Sequence, residues 1–428
     1  MPELRSVEEH LDGILAATEP LPATEVALLD ALDLAASDDV VAPIRLPRFD
    51  NSAMDGYAVR SEDVAAVTDA APVTLPVVGA IGAGRPGAVT AVPPGSAAKI
   101  MTGAPLPPGA DSVVPYESTD RGAQQVVVRR GALPGQHVRY AGEDVAEGAL
   151  ILPAGTALGP RQLGLLASVG LPTVRARRRP RVLVVSTGSE LRDPGEPLED
   201  DSIYDGNSIL LAGAVQRAGA VAVRAGRVAD STEAFLQVVA DHLDGAEGVD
   251  VVVTSGGISM GDFDVVKAAL SGGGASDGPL AGDVWFGGLA MQPGKPQGFG
   301  RVWTTADPQR RVPFFALPGN PVSSYLSFEM FVRPALRAMM GRAPYSRRPI
   351  TARLTHAVTS PPGRRQFLRG VLTLGPDGTS VTEVQPVGGS GSHLVGDLAA
   401  SDALIVVPED TTAVGAGERV TVIRLDQD

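Results

Sequence analysis

The stretch from Asp250 to Asp264, DVVVTSGGISMGDFD, combines residue types that suit phosphate and hard-cation chemistry. The apolar run from Asp250 to Val253 predicts a buried strand, which the following glycines end abruptly. Gly256, Gly257 and Gly261 would let backbone N–H groups approach an anion closely. Asp262 and Asp264 then add carboxylates where a helix, FDVVKAAL, is expected to begin. A simple strand–turn–helix joint with an Asp cap accounts for the stretch equally well.

Other tracts carry compatible chemistry. Ser186-Thr-Gly-Ser-Glu190 ends a second apolar run, and Glu190 there could ligate Mg²⁺ through oxygen or stand as an exposed turn residue. Asp205 and Asn207 open the next helix, and capping explains one of them. Asp230-Ser-Thr-Glu233 matches a capping box, a role compatible with facing a crevice at a strand end. Glu190, Asp230 and Asp264 together would form an all-oxygen site for a hard cation, with Mg²⁺ shared with a substrate phosphate the obvious candidate. Lys295, held in Pro293-Gly-Lys-Pro296, offers a fixed point charge to an oxyanion, or sits in a surface turn. In Leu317-Pro-Gly-Asn-Pro-Val-Ser323 a strand gives way to a helix whose N-terminus attracts anions. Arg369 and Ser392 could add donors. Asp50, Asn51, Ser52 and Asp55 share an irregular tract, PRFDNSAMDGYAVR, that must be a structured loop, and Thr102 lies on a tight turn in MTGAPLP.

These residues need elements to hold them. From Arg181 onward strand-like and helix-like runs alternate, which predicts a parallel sheet covered by helices on both faces. Ligands bind such sheets beyond the carboxyl ends of the strands, so the loops at Ser186, Thr254 and Leu317 should converge on one crevice. Short apolar runs broken by Gly and Pro predict a compact antiparallel β domain over about Pro43–Gly142, and short strands after Pro344 predict a second small β domain. Ser6-Val-Glu-Glu9 predicts a capped helix, and Pro160–Gly170 another. RARRRP, Arg175–Pro180, has the composition of a linker, and Ser271–Gly278 that of a flexible loop.

Composition narrows the function. The chain has 428 residues, 44% hydrophobic and 20% charged, enough for two to four globular domains. It contains no Cys and five scattered His, so disulfides and a zinc site are not expected. A net charge of −13 argues against sequence-independent nucleic-acid binding. No apolar run is long enough for a membrane span, the N-terminus lacks signal-peptide features, and a cytoplasmic home is expected. Lysine is scarce, confined to Lys99, Lys267 and Lys295.

Seven signatures, PRFDNSAMDGYAVR, IMTGAPLPPGADSVVPYE, STGSEL, TSGGISMGDFDVVK, MQPGKPQGFG, ALPGNPVSS and GSHL, follow one another from Pro47 to Leu394. Together they resemble the molybdopterin molybdenumtransferase family of the MoeA and gephyrin E-domain type. The resemblance implies an α/β multidomain chain built around a doubly wound, mostly parallel α/β domain of the molybdopterin-binding type, residues 179–342. A discontinuous helical domain (1–45 and 143–178), an inserted β domain (46–142) and a C-terminal β-barrel (343–428) would complete it. It further implies a homodimer in which Asp55 and Thr102 of one subunit join the crevice of the other. The implied reaction is Mg²⁺-dependent insertion of molybdate into adenylylated molybdopterin, giving molybdenum cofactor and AMP. A molybdopterin adenylyltransferase, which TSGGxSxG alone would fit, and a non-catalytic dimeric scaffold are the alternatives. A separate adenylyltransferase and recipient molybdoenzymes would be partners.

On this resemblance the catalytic residues are Asp55, Thr102, Glu190, Asp230, Asp264, Lys295, Pro318 and Pro321, with Glu190, Asp230 and Asp264 holding Mg²⁺. The nucleotide and pterin contacts would come from Thr187, Gly188, Ser189, Asn207, Ser208, Ser255, Gly256, Gly257, Ser259, Gly261, Gly319, Asn320, Arg369 and Ser392. Two departures bear on the molybdate contacts: Gln292 replaces a second basic residue, and Gly396–Asp402 lacks some hydroxyl and amide residues usual there.

Overall fold

The computed structural model describes residues 4–84, 89–258, 264–270, 278–375 and 380–426. The chain forms two compact units, Met1–Glu25 with Asp33–Ser37 and Arg175–Asp428, and Val26–Leu32 with Asp38–Val174.

A six-stranded sheet runs through the larger unit. Its strands are β1 (Arg181–Thr187), β2 (Val221–Val228), β3 (Val251–Ser255), β4 (Leu280–Gly288), β5 (Pro296–Thr304) and β6 (Val312–Leu317), in the order β2-β1-β3-β6-β5-β4. The first four in that order pair in parallel, as expected. β5 and β4 add an antiparallel hairpin that the sequence reading missed, because glycines interrupt both strands. β1 and β3 are buried on both faces, which is why they read as continuous apolar runs. Alternate residues serve opposite layers. Val182, Val184, Val251 and Val253 pack with α1 (Val7–Ala17), α2 (Gly206–Arg217) and the helical segment that begins with α5 (Pro321–Ser327). Leu183, Val185 and Val252 pack with α3 (Thr232–Asp244) and α4 (Val265–Leu270).

After α5 the chain makes a π turn, Phe328–Val332, before α6 (Arg333–Met339). Pro334 explains the wide turn: it has no N–H, and its ring would press on a carbonyl one turn back. Farther on, strands Arg365–Leu374, Val381–Pro386, Pro349–Leu354, Arg419–Arg424 and Ala403–Val407 pair in succession. Ala403–Val407 then pairs back onto Arg365–Leu374, closing the barrel and leaving no open edge among these strands. The smaller unit contains a five-stranded sheet over a core that includes Tyr57, Val59 and Val114. Its strands are antiparallel as expected, except that Val73–Ile81 runs parallel to Ala97–Ile100.

Local signals mostly hold. Ser6 and Glu9 form the capping box of α1. The Arg175–Pro180 tract is no loose linker: Thr173–Arg177 is a strand, Arg178 grips both oxygens of Asp250 at 2.6 and 2.7 Å, and Arg179 donates to the Gly219 carbonyl at 3.2 Å. Nearly all of the Ser271–Gly278 tract lies outside the described residues.

His10, on α1, is buried among Trp285, Phe299 and Phe331, with ring centroids 5.3, 6.3 and 4.8 Å away. Burial, assisted by the charge of Arg5, lowers its pKa to about 4. The folded state therefore resists a proton that the unfolded chain accepts near pH 6.5. Stability is complete above pH 6.5 and falls as pH drops toward 4, by about 3 kcal/mol at most. Denaturant titrations over that range should show this slope, and His10→Phe should flatten it.

Candidate active site

Three loops leave the carboxyl ends of β1, β3 and β6 and line one cleft of about 440 Å³. After β3, Gly256 and Gly257 adopt φ of +96° and +69°, a turn that other residues take only under strain. A Cβ on Gly257 would also lie 2.9 Å from a Val266 methyl, so the loop stays tight against α4. The Gly256 N–H donates to the Leu317 carbonyl at 3.1 Å. The Gly256 N–H is thus already engaged in shaping the loop.

One side chain ties the loops together. Asp205 caps α2 by accepting from the Ser208 N–H at 2.9 Å, which places Asn207 in the first turn. The Asn207 amide donates to Ser255 Oγ at 2.9 Å and to the Gly319 carbonyl at 2.5 Å. Ser255 Oγ lies 3.4 Å from the Pro318 carbonyl, and Ser324 Oγ 3.3 Å from Ser255 Oγ. Pro321 starts α5 and lines the cleft beside Gly319.

The acidic residues hang on this frame. The capping box expected at Asp230 is differently built. Ser231 is the cap, accepting from the Ala234 N–H at 3.0 Å. Asp230 is thereby released toward the cleft, where it accepts from the Ser189 N–H at 2.8 Å. Glu190 folds over Gly188, and Asp264 lies at the foot of α4. All three carboxylates line the cleft, as does Asp205. They do not form the preassembled cluster expected for a metal: among the described residues no group of three or more His, Cys, Asp or Glu is placed to hold one. Among the described residues the lining also contains no Lys, Arg or His. Arg192 and Arg224 stand nearby but are engaged, Arg192 by Glu199 at 2.8 Å and Arg224 by Ser208 Oγ and Asp193 at 2.8 and 2.9 Å.

Thr187, Gly188, Asn207, Ser255, Gly257 and Gly319 share this cleft with the acids. Other expected site residues sit elsewhere. Ser208 is buried, and Asn320 caps α5, its carbonyl accepting from the Ser324 N–H at 2.9 Å. Lys295 is exposed on the β4–β5 turn, where its carbonyl accepts from the Leu289 N–H. Arg369 is only 2% exposed and donates to the Gly389 and Gly391 carbonyls. Burial lowers its pKa, against the pull of Asp397. It thus braces the loop whose Ser392 carbonyl accepts from the Val322 N–H of α5 at 3.0 Å. Ser259 and Gly261 lie outside the described residues. The sequence reading did not single out Tyr204, Leu210 or Val395, which also line the cleft; ordinary helix and turn positions give no signal of that.

In the smaller unit the PRFDNSAMDGYAVR tract, expected to be irregular throughout, is only partly loop: Asn51–Ser52 and Gly56–Val59 are strands, and Asp50 and Asp55 flank them. Asp50 accepts from the Ala141 N–H at 2.8 Å, and Ser52 Oγ from the Met54 N–H at 3.2 Å. Asp55 remains exposed, one carboxylate oxygen accepting from the Thr102 N–H at 2.7 Å and hydroxyl at 2.8 Å. These two donors hold its carboxyl below the usual range, the backbone one first.

Comparison with known proteins now decides the family. Residues 5–170 match the MoeA N-terminal region (domain I and II), 183–338 a probable molybdopterin binding domain, and 351–425 the MoeA C-terminal region (domain IV). Molybdopterin molybdenumtransferase 2 of Mycobacterium tuberculosis is 44% identical over 419 residues, covering 98% of this chain and 99% of that protein. The chain belongs to the molybdopterin molybdenumtransferase (MoeA) family. The molybdopterin molybdenumtransferase of Haemophilus influenzae is 34% identical over 92% of both chains. The crystal structure of a molybdopterin biosynthesis moea protein from Pyrococcus horikosii superposes with TM-score 0.81 at 32% identity, covering all of both chains. As a molybdopterin molybdenumtransferase, the chain is an enzyme of molybdenum cofactor biosynthesis.

The Asp55–Thr102 pair can be tested within this family member. Thr102→Ala removes the hydroxyl but keeps the backbone donor, so the Asp55 carboxyl should titrate higher than in the parent while staying below an unrestrained Asp. Carboxyl-detected NMR titration reads the change. The stabilisation from this pair is present above the ordinary Asp range and fades as pH falls through the depressed value, over a narrower span in the variant.

Proposed function

We propose that the enzyme inserts molybdate into adenylylated molybdopterin with release of AMP, and that it requires Mg²⁺. The observation that carries this reading is the charge of the cleft: Glu190, Asp230, Asp264 and Asp205 line it, with no cationic side chain among the described lining residues. A phosphoanhydride cannot approach such a wall unless a divalent cation is shared between carboxylates and phosphate. Mg²⁺ is commonly held through one or two carboxylates plus substrate phosphates, so carboxylates that line one space without forming a closed cluster fit that use. Bound there, the ion would neutralise phosphate charge and that of the AMP leaving group.

The remaining work falls to the protein. The turn after β3 presents backbone toward the substrate phosphate, and the N-terminus of α5 adds its positive end on the opposite rim. Asp230 and Asp264 would orient the water or oxyanion whose oxygen joins phosphorus as the anhydride P–O bond breaks. Lys295, with its exposed ammonium, is the candidate to attract molybdate, and Arg369 serves by bracing the Ser392 loop rather than by direct contact. In the proposed homodimer, Asp55 and Thr102 of one subunit complete the cleft of the other. The four-domain division with boundaries at 46, 143, 179 and 343 belongs to the same reading, as do a cytoplasmic setting and partnership with an adenylyltransferase and recipient molybdoenzymes. No described helix is long and apolar enough to cross a membrane.

Purified protein given adenylylated molybdopterin, Mg²⁺ and molybdate should release AMP, and molybdate should stimulate that release. Asp264→Ala and Asp55→Ala should each lower it by about 100-fold or more while the thermal transition stays in place. Parental rates in both folded variants would remove these residues from the mechanism, and ATP consumption on free molybdopterin would point to adenylyl transfer.

A further inference from the structure

Among the described side chains with a buried polar atom that lacks a hydrogen-bond partner, Ser186 is the one that lines the acidic cleft. It is the penultimate residue of β1 and only 2% exposed. Side chains alternate along a strand, so Ser186 points to the same face as Val182 and Val184, the face that packs with α2 and α5. In the parallel ladder it stands level with Ser255 of β3. On its other side the pairing with β2 slips by one residue between Val184 and Ser186, beside Gly226 with its φ of +73°. Polar groups of the same frame are already engaged. Ser255 Oγ takes the Asn207 amide, Ser208 Oγ takes the Arg224 guanidinium, and Asp205 Oδ1 takes the Ser208 N–H. The Ser186 hydroxyl is out of water without a bond to any described residue, a cost to the fold that only an arriving acceptor removes.

We propose that Ser186 contacts the substrate: its hydroxyl donates to a tetrahedral oxyanion seated between the end of β1 and the first turn of α2, an inference that rests on the function proposed above. A hydroxyl suits this place for two reasons. It is a donor without charge of its own, and it can rotate to meet an oxygen whose position a shared cation has set. The twelve-residue helix α2 turns its positive end toward the same space, which Gly206 and Asn207 also line. The bond missing in the free protein is made in the complex, so affinity rises at the expense of stability. The phosphate of an adenylate and molybdate share this chemistry, and the two differ in the test.

Titration calorimetry on the full-length protein with Mg²⁺ would use AMP and molybdate as probes, and scanning calorimetry would read the ligand-free protein. Ser186→Ala should weaken AMP or molybdate about tenfold, since a hydrogen bond to a charged acceptor is the stronger kind. Ser186→Cys keeps the shape with a weaker donor and should fall between alanine and the parent. The ligand-free alanine variant should melt at or above the parental temperature, because it gives up no bond within the fold. Loss confined to AMP assigns the hydroxyl to the substrate phosphate, loss confined to molybdate assigns it to the metal oxyanion, and loss of both assigns it to a seat they share. Parental affinity for both anions in the alanine variant overturns the proposal, as does a parent that binds neither. So does a lower melting temperature of that variant without ligand, which would show a hydroxyl already bonded inside the protein. A parent that binds these anions but releases no AMP from adenylylated molybdopterin would instead count against the reaction, since the loss at Ser186 is measured without turnover.

Discussion

The active cleft depends on one amide. Parallel strands bring the turns after β1, β3 and β6 to the same end of the sheet, but they do not by themselves fix how those turns face each other. Asn207 does so, because its two amide protons reach Ser255 Oγ and the Gly319 carbonyl at once. An exposed hydrogen bond contributes little, yet these partners belong to a site where Ser255 is buried and each unsatisfied polar group would cost about 1–3 kcal/mol. The bond therefore has a large penalty for being broken. It links the N-terminal turns of α2 and α5 to the glycine loop, so that amide dipoles and carboxylates address a common space.

That space is acidic in a protein that is itself acidic, and the two facts have different meanings. A surplus of 13 negative charges spread over the chain affects solubility and repels polyanions. Glu190, Asp230, Asp264 and Asp205 lining one cleft, with no cationic side chain among its described lining residues, is a local matter. Glu190 and Asp230 are exposed, Asp264 is half-buried and only Asp205 is buried, so solvent screens their mutual repulsion and it is an entering phosphate that needs a positive charge beside it. The nearby guanidinium groups do not fill that role, because Arg192 and Arg224 are held by Glu199 and Asp193 outside the cleft. The arrangement is coherent for an enzyme whose substrate arrives with phosphate and divalent cation together.

Much of this was legible in the chain before folding was considered. β1 and β3 are covered on both faces, so their apolar runs stand out, and the glycines after β3 announce a turn that needs positive φ. Tertiary partners were not legible. Arg178 looks like part of a basic linker until Asp250, 72 positions later, takes both its nitrogens. Asp230 looks like a helix cap because Ser231 beside it has the same preference, and only geometry assigns the cap to Ser231. Arg369 looks like a ligand because nothing in QFLRG shows that its terminal nitrogens will meet the carbonyls of Gly389 and Gly391. Leu210 and Val395 could not be found at all, since an apolar residue facing a cavity and one facing solvent have the same local surroundings in sequence.

The buried Arg369 also shows how the C-terminal region contributes to a site on the sheet. Its guanidinium is almost fully out of water, and a charge so placed needs acceptors and an anion near it, which the terminal nitrogens find although Nε bonds none of the described residues. Gly389 and Gly391 supply carbonyls, and the Asp397 carboxylate lies 3.8 Å away. Lysine has one nitrogen where arginine has a planar fork, so it could not bond both glycine carbonyls in the same geometry. Once braced, the loop holds Ser392 where its carbonyl takes up the Val322 N–H, one of the amides that would otherwise be left open at the N-terminus of α5. Val395, three residues on, lines the acidic cleft. A barrel residue that is not itself part of the cleft's lining thus helps to set its wall.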